Sequence, residues 1–318
     1  MSTPRREGII AAIGPELAQL VVVGLWASTF IVTKAAFAQL PGPAFIFARF
    51  SLMTLLAFVV LVIRRPAGER SVRRADWGRF LLAGLGGYTF YQLGFTLGLE
   101  RTSPFSASLL IAMVPLFTVL ILAVRGERAP LTAWLGIAVA VVGVAIFLAD
   151  KRVASAGSGG VEGSIAGDAL ALMAAVAFAT YGIVNRPLAA RYPPETYTAY
   201  AILAGCVPLL LGTAPAALAQ DWSRVSLLGW LGIVYVVIFP VYVAYMLWNY
   251  AIAHRGPAAA TSFSLLVPIV IGILSALIFG EEFGPAKLLG AALVLAGLII
   301  VRVPRRAKTP PLATEKPK

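Results

Sequence analysis

A chain of 318 residues in which 59% are hydrophobic and 13% charged is too apolar for a water-soluble domain, since such domains carry about 25% charged residues. The single cysteine, Cys206, excludes a disulfide framework, and the single histidine, His254, leaves little for zinc chemistry. A net charge of +12 would suit nucleic acid, but the placement of the charges argues for a membrane instead.

About 20 predominantly apolar residues cross a bilayer as a helix. Runs of that length predict ten spans: 16–38, 44–63, 77–99, 104–124, 131–149, 165–187, 195–218, 226–252, 257–279 and 285–303. The first follows Arg5 and Arg6 and imitates a secretory signal, but Leu17–Thr33 is too long for a signal core of about 7–15 residues. It carries a stripe of Trp26, Phe30 and Lys34. The second opens at Gly42-Pro43 and holds Arg49 inside it, and the third places Tyr88, Gln92 and Thr96 at i, i+4 and i+8. The fourth opens at Ser103-Pro104, where the serine can cap and the missing N–H of the proline costs nothing. Its second proline, Pro115, lies in the interior, where it removes a helical hydrogen bond. After the fifth span, Ala154–Ser164 reads ASAGSGGVEGS, a flexible Gly/Ser connector. The sixth holds Tyr181 and Asn185 beside Arg186. The eighth carries Tyr242, Tyr245 and Asn249 at i, i+3 and i+7, together with Trp248 and Pro240. The ninth opens at Gly256-Pro257 and again has an interior proline, Pro268. After the tenth, which opens at Gly284-Pro285, comes a Pro- and Lys-rich tail expected to be disordered. Sustained apolar–polar alternation is lacking, which argues against a β-barrel.

With ten spans, the N-terminus, every second loop and the tail share one side and hold 18 Lys and Arg residues. The other side holds five: Arg101, Lys151, Arg152, Arg224 and Lys287. That bias puts both termini in the cytoplasm, and it accounts for the net charge without nucleic acid as a partner.

The chain also repeats itself. Pro104 and Pro115 recur 153 residues later as Pro257 and Pro268. LWASTFIVTKAAFA aligns with AFATYGIVNRPLAA at an offset of 152, which pairs Lys34 with Arg186, and Glu16 pairs likewise with Asp168. Beyond the interior prolines the offset is 154, pairing Gly126-Glu127 with Gly280-Glu281, Gly136 with Gly290 and Gly143 with Gly297. Half-length repetition of five spans, an odd number, makes the second copy enter the membrane from the opposite side. The expected architecture is therefore an all-α polytopic membrane protein, with ten transmembrane helices as two inverted five-helix repeats. The first repeat covers 16–149 and the second 165–303, joined by a connector at 150–164 and flanked by cytoplasmic segments 1–15 and 304–318. Interrupted helices at matching positions point to a substrate site at the repeat interface, so Pro115, Pro268 and Pro240 are candidates for helix breaks or gating. Freed carbonyls there need partners, and Ser106, Ser108, Thr261, Ser262 and Ser264 are near enough to serve. The plain alternative is that the prolines bend helices for packing.

The segments SPFSASLLIAMVP and GPAAATSFSLLVP, with the endings GERAPLTAWLGIAVAVVGV and GEEFGPAKLLGAALVLAGL, resemble the EamA-type repeat of the drug/metabolite transporter superfamily. The resemblance covers about residues 16–303 and implies a ten-helix transporter of metabolites by alternating access, most similar to aromatic amino acid and metabolite exporters. The expected location is a bacterial inner membrane, the expected partners are a small-molecule substrate and the lipid bilayer, and a monomer is the expected state.

Polar and aromatic residues on single helix faces suit a cavity for an amphipathic small molecule. The candidate lining is Trp26, Phe30, Lys34, Arg49, Tyr88, Gln92, Thr96, Tyr181, Asn185, Tyr242, Tyr245, Trp248 and Asn249. Interhelical hydrogen bonding and aromatic packing is the other reading. Lys34 and Arg186 lie near span ends and can snorkel. Arg49 lies deeper, and either attracts a carboxylate or holds loosened carbonyls of a neighbour. All fourteen acidic residues fall in loops, tails or terminal turns, so carboxylate-based proton antiport is not expected, and no cofactor or metal is implied. An intramembrane enzyme lacks a nucleophile–base pair, and a channel would need charged or carbonyl rings. Other amphipathic cargoes, among them nucleosides, purines and cationic compounds, stay open beside amino acids.

Overall fold

The structure is a computed structural model that describes residues 14–63, 72–157, 164–192, 194–244, 246–248, 250–251, 254 and 263–302. All its regular elements are helical. In chain order they are α1 Pro15–Ala36, α2 Gly42–Ile63, α3 Trp77–Gly84, α4 Tyr91–Arg101, α5 Pro104–Ile111, α6 Val114–Val124, α7 Leu131–Gly157, α8 Ile165–Ala189, α9 Pro194–Ala219, α10 Leu227–Val237, α11 Leu266–Phe279 and α12 Pro285–Arg302. Prolines start α1, α5, α9 and α12, and Ser103 caps α5 by accepting from the Ser106 amide.

Among the described residues, eight stretches are long and apolar enough to cross a membrane, not ten. Trp77–Arg101 is not one of them: its apolar character is diluted by glycines, Tyr88, Gln92 and Thr96. The other is the predicted 257–279, of which only the 14-residue α11 counts as a helix, because 255–262 lie outside the described residues. The interior prolines also act differently from expectation. The chain turns at Ala112–Met113 and restarts as α6, with Pro115 its second residue. In the second half it turns at Ser264–Leu265 and restarts as α11, with Pro268 its third. A proline ring collides with the carbonyl four residues earlier, at Ile111 and Ser264, so each break falls about one turn ahead of its proline. Ser106 and Ser108 do not fill the gap: Ser106 pairs with Ser103, and Ser108 donates to the Phe105 carbonyl at 2.8 Å. Ser264 instead lies 3.4 Å from the Arg302 guanidinium, while Thr261 and Ser262 lie outside the described residues.

Two further interruptions occur, the second of them at Pro240, the first without any counterpart among the candidate breaks. Leu85–Phe90 between α3 and α4, and Ile238–Val243 after α10, are π-helical turns. They lie 153 residues apart, the same offset that relates the prolines. In the first, the Tyr91 amide reaches back to the Gly86 carbonyl. Such turns are rare and collect at functional sites.

Large apolar side chains such as Leu55, Phe58, Leu211 and Leu277 face outward, as lipid-facing positions do. Small residues bring the helices together inside. A Cβ on Gly136 would lie 2.6 Å from the Gly297 carbonyl oxygen, and one on Gly143 2.7 Å from that of Gly290. Numbers rise along α7 as they fall along α12, so the two helices are antiparallel, and each glycine of one copy meets the other glycine of the second. Gly94 and Gly98 of α4 meet Leu170 and Gly167 of α8 just as closely. Without a hydrophobic drive between helices in lipid, close backbone approach of this kind is what holds them.

One end of the bundle is tied by a buried carboxylate. Asp76 accepts from Arg191 at 2.7 Å, Arg79 at 3.1 Å and the Tyr192 hydroxyl at 2.8 Å. The Tyr192 hydrogen bond, with Arg191 and Arg79, holds the Asp76 carboxyl below its ordinary value of 3.8. A depressed carboxyl stabilises the fold above that ordinary value, and the contribution is lost as pH falls through the lowered one. Asp76→Asn is therefore expected to lower the melting temperature of the detergent-purified protein at pH 7, with the gap to wild type narrowing towards pH 3. A gap of constant size across that range would refute the account.

Candidate functional site

The candidate residues fall into three groups. At one helix end, Lys34 in the last turn of α1 donates to the carbonyls of Leu99 at 2.9 Å, Glu100 at 3.2 Å and Thr102 at 2.8 Å. It thus satisfies the orphan carbonyls that close α4. Thr102 in turn donates to Asp168 at 2.7 Å, and Glu100 accepts from the Gly42 amide at 2.7 Å. The Lys34 ammonium is committed to this cap, and Arg186 is exposed.

A second group gathers around the later π turn. There the Ala244 amide bonds the carbonyls of Phe239 and Val241, and the buried Pro240 carbonyl accepts from Trp26 Nε1 at 3.3 Å. The Trp26 ring packs on Trp248 with centroids 5.0 Å apart. Trp26, Pro240 and Trp248, predicted from separate spans, are thus brought together. The Tyr242 side chain, Tyr245 and Asn249 lie outside the described residues.

The third group lies along the first π turn and α4, facing α1, α2 and α8. Phe30 meets Phe95 edge-on at 5.0 Å, and Tyr91 meets Phe178 at 4.8 Å. Tyr88 lies 6.0 Å from Tyr181, whose hydroxyl accepts from Asn185 Nδ2 at 3.4 Å. Thr89 Oγ1 donates to the Gly205 carbonyl at 2.6 Å and so pins the π turn to α9. Several buried polar atoms here have no protein partner: Arg49 Nε and Nη1, Gln92 Oε1, Thr96 Oγ1 and Asn185 Oδ1. A buried unpaired polar group costs about 1–3 kcal/mol, and this set places unpaired donors and acceptors on α2, α4 and α8 inside the helical bundle.

Sequence reasoning missed members of this set. Thr33 Oγ1 and both polar atoms of the Gln19 side chain are also buried and unpartnered. Gln19, Trp26, Phe30 and Thr33 share one face of α1 at helical spacing, a signal present in the sequence once the stripe is extended. Tyr91, which packs against Phe95 and Phe178, is off the i, i+4 stripe of Gln92 and Thr96 and so carries no signal in that pattern. Among the described residues, no group of three or more His, Cys, Asp or Glu could hold a metal.

Helices packed through glycine, lipid-facing apolar surfaces and unpartnered polar atoms inside define a polytopic transporter. The chain belongs to the EamA-like transporter family, which matches it twice, over 14–149 and 165–303. It is 30% identical over 285 residues to a "Probable terminal-alkyne amino-acid exporter" of Streptantibioticus cattleyicolor, covering 89% of this chain and 92% of that one. An "Uncharacterized transporter" of Archaeoglobus fulgidus is 26% identical, covering 88% and 96% of the two chains. A "Probable amino-acid metabolite efflux pump" of Salmonella typhimurium is 24% identical, covering 93% and 94%. One solved structure, described as "Crystal structure of protein", shares the fold over 90% of this chain and 96% of its own, with a TM-score of 0.55 at 21% identity.

Proposed function

We propose that this transporter exports small metabolites of the amino acid class, aromatic ones included, across a bacterial inner membrane. It works by alternating access between two inverted five-helix halves, 16–149 and 165–303, with both termini in the cytoplasm and ten crossings in all. The observation that carries the reading is the set of unpartnered polar atoms on α2, α4 and α8, lined by Tyr88, Tyr91 and Tyr181. The matched π turns and the antiparallel pairing of α7 with α12 support the inverted arrangement. The printed names of two relatives point to amino acids. The site residues act by binding alone: Trp26, Phe30, Arg49, Tyr88, Gln92, Thr96, Tyr181, Asn185 and Trp248 line the path, with Tyr242, Tyr245 and Asn249 from the eighth span. Lys34 closes the wall, and the breaks before Pro115 and Pro268 and the turn at Pro240 let the halves move.

The test is counterflow in proteoliposomes loaded with phenylalanine, with leucine, adenosine and a quaternary amine as competitors. Saturable exchange of phenylalanine, inhibited by leucine, is expected. Exchange that only adenosine or the amine inhibits would move the cargo to another class, and single-channel current would replace the carrier with a pore.

A further inference from the structure

We infer that Arg49 is a built anion site that makes a carboxylate the obligatory feature of the cargo; this rests on the transport reading above and adds the chemistry of recognition. Arg49 lies on α2 and is 6% exposed. Two of its guanidinium nitrogens, Nε and Nη1, have no protein hydrogen-bond partner, and among the described residues no carboxylate pairs with it. Both structural explanations open to a sequence fail. Snorkelling would bring the head to the surface, and this one is buried. Holding loosened carbonyls would occupy the N–H groups, and two nitrogens are unoccupied.

The interactions recorded for the guanidinium supply no hydrogen-bond acceptor to Nε or Nη1. Phe50 lies 5.4 Å below its carbon, a cation–π contact. That contact spends none of the guanidinium's hydrogen-bonding capacity on an oxygen acceptor, and Nε and Nη1 remain without one. Among the described residues the charged group is offset by no carboxylate; the Tyr91 phenol lies within electrostatic range, and a phenol is neutral at physiological pH. A fixed cation inside membrane helices, without a counter-ion, is unstable unless its counter-charge arrives with a ligand. The fork of a guanidinium matches a carboxylate through two parallel hydrogen bonds. On α4, which packs against α2 through Leu93 and Leu97, Gln92 Oε1 is an unpartnered acceptor. A donor edge on one helix and an acceptor on the next suit a molecule bearing both a carboxylate and an amine.

The experiment separates these terms with three compounds of one skeleton: phenylalanine, 3-phenylpropionate without the amine, and 2-phenylethylamine without the carboxylate. Sodium chloride at the same ionic strength is the fourth probe. Each is titrated against the melting temperature of full-length detergent-purified protein, wild type, Arg49→Gln and Arg49→Lys. Phenylalanine and phenylpropionate are expected to raise it in wild type, and phenylethylamine and chloride to leave it unchanged. Arg49→Gln should weaken the apparent affinity for both carboxylates at least about 30-fold, with Arg49→Lys between. Without ligand, Arg49→Gln should melt no lower than wild type, since it removes an unpaired buried charge.

Equal stabilisation by the amine or by chloride overturns the carboxylate assignment. So does a carboxylate effect that survives in Arg49→Gln, or no carboxylate effect at all in wild type. An Arg49→Gln protein that melts well below wild type overturns the claim that the guanidinium lacks a structural partner. Exchange of amines as fast as amino acids in proteoliposomes would sink this inference and leave the transporter standing. Carboxylate binding without any exchange would do the reverse.

Discussion

Gly143→Leu is expected to abolish recovery of folded monodisperse protein, whereas Gly182→Ala should leave it intact. The difference follows from what each Cβ meets. At Gly143 the nearest atoms are the Gly290 carbonyl oxygen and the Val294 amide, both at 2.7 Å, and both are backbone. A side chain there cannot be relieved by a rotamer change; α7 and α12 must separate, and the reciprocal contacts at Gly136 and Gly297 separate with them. Overfilling a packed interior costs about 1–3 kcal/mol even when neighbours can adjust, so Gly143→Ala should already lower the melting temperature. Gly182 has nothing within 4 Å of its Cβ position, and alanine is the better helix former by about 0.5–1 kcal/mol. Gly182→Ala should therefore melt at or slightly above wild type. Thermal melting of the purified variants checks the contrast, and equal behaviour of the two alanine variants would refute the account of the seam.

Lys287→Met is the second large effect expected. Lys287 Nζ lies 3.0 Å from Glu281 Oε1, and both side chains are under a tenth exposed. Glu281 also accepts from Ser103 of the α5 cap and Ser275 of α11, so one carboxylate ties three helices. Lys287 donates in addition to the Glu282 carbonyl at 2.8 Å and lies 4.8 Å from the Phe283 ring centre. Removing one partner of a buried pair leaves a stranded charge and costs about 3–5 kcal/mol. Lys287→Met should therefore melt far below wild type. Glu281→Gln should do less harm, because the ammonium it leaves keeps the Glu282 carbonyl and the Phe283 ring as partners. The double variant should regain much of what Lys287→Met loses, since the stranded charge is gone. A double variant as unstable as the sum of the singles would mean that the pair is not the tie.

The helical class, the helix starts at proline and the doubled organisation were legible because each is local or periodic. The apolar runs, Ser103-Pro104 and the twin Gly-Glu turns need no partner to be recognised. Partners across the chain were not legible. Lys34 could be placed in a last turn, but its three carbonyls lie 65 to 68 residues away. Only eight of the ten expected spans stand out among the described residues, because glycines and polar residues that pack on α8 and α9 dilute the third run and part of the ninth lies outside the described residues. Pro240 marks the second π turn as a candidate break, but nothing in the sequence marks the first or pairs the two. LGGYTF and IFPVYV share no residue at matching positions, and the first is fixed by Thr89 and the glycines that face α8 and α9, not by its own composition. Arg49 stands out in the sequence by its place inside a span, but only the folded chain reveals which of its nitrogens lack partners.

The two π turns carry one more consequence. Each holds a residue beyond what an α-helix would use for the same height, and one residue is about 100° of rotation. The third and eighth runs stay aligned at a constant offset of 153 only because both copies contain the wider coil. Deleting a residue from one copy would throw it out of phase with its twin, turning Gln92 and Thr96 more than a quarter circle while the mirror segment stayed put. Comparisons among relatives that place a gap in one of these segments and not the other would be matching inward-facing positions to sideways ones.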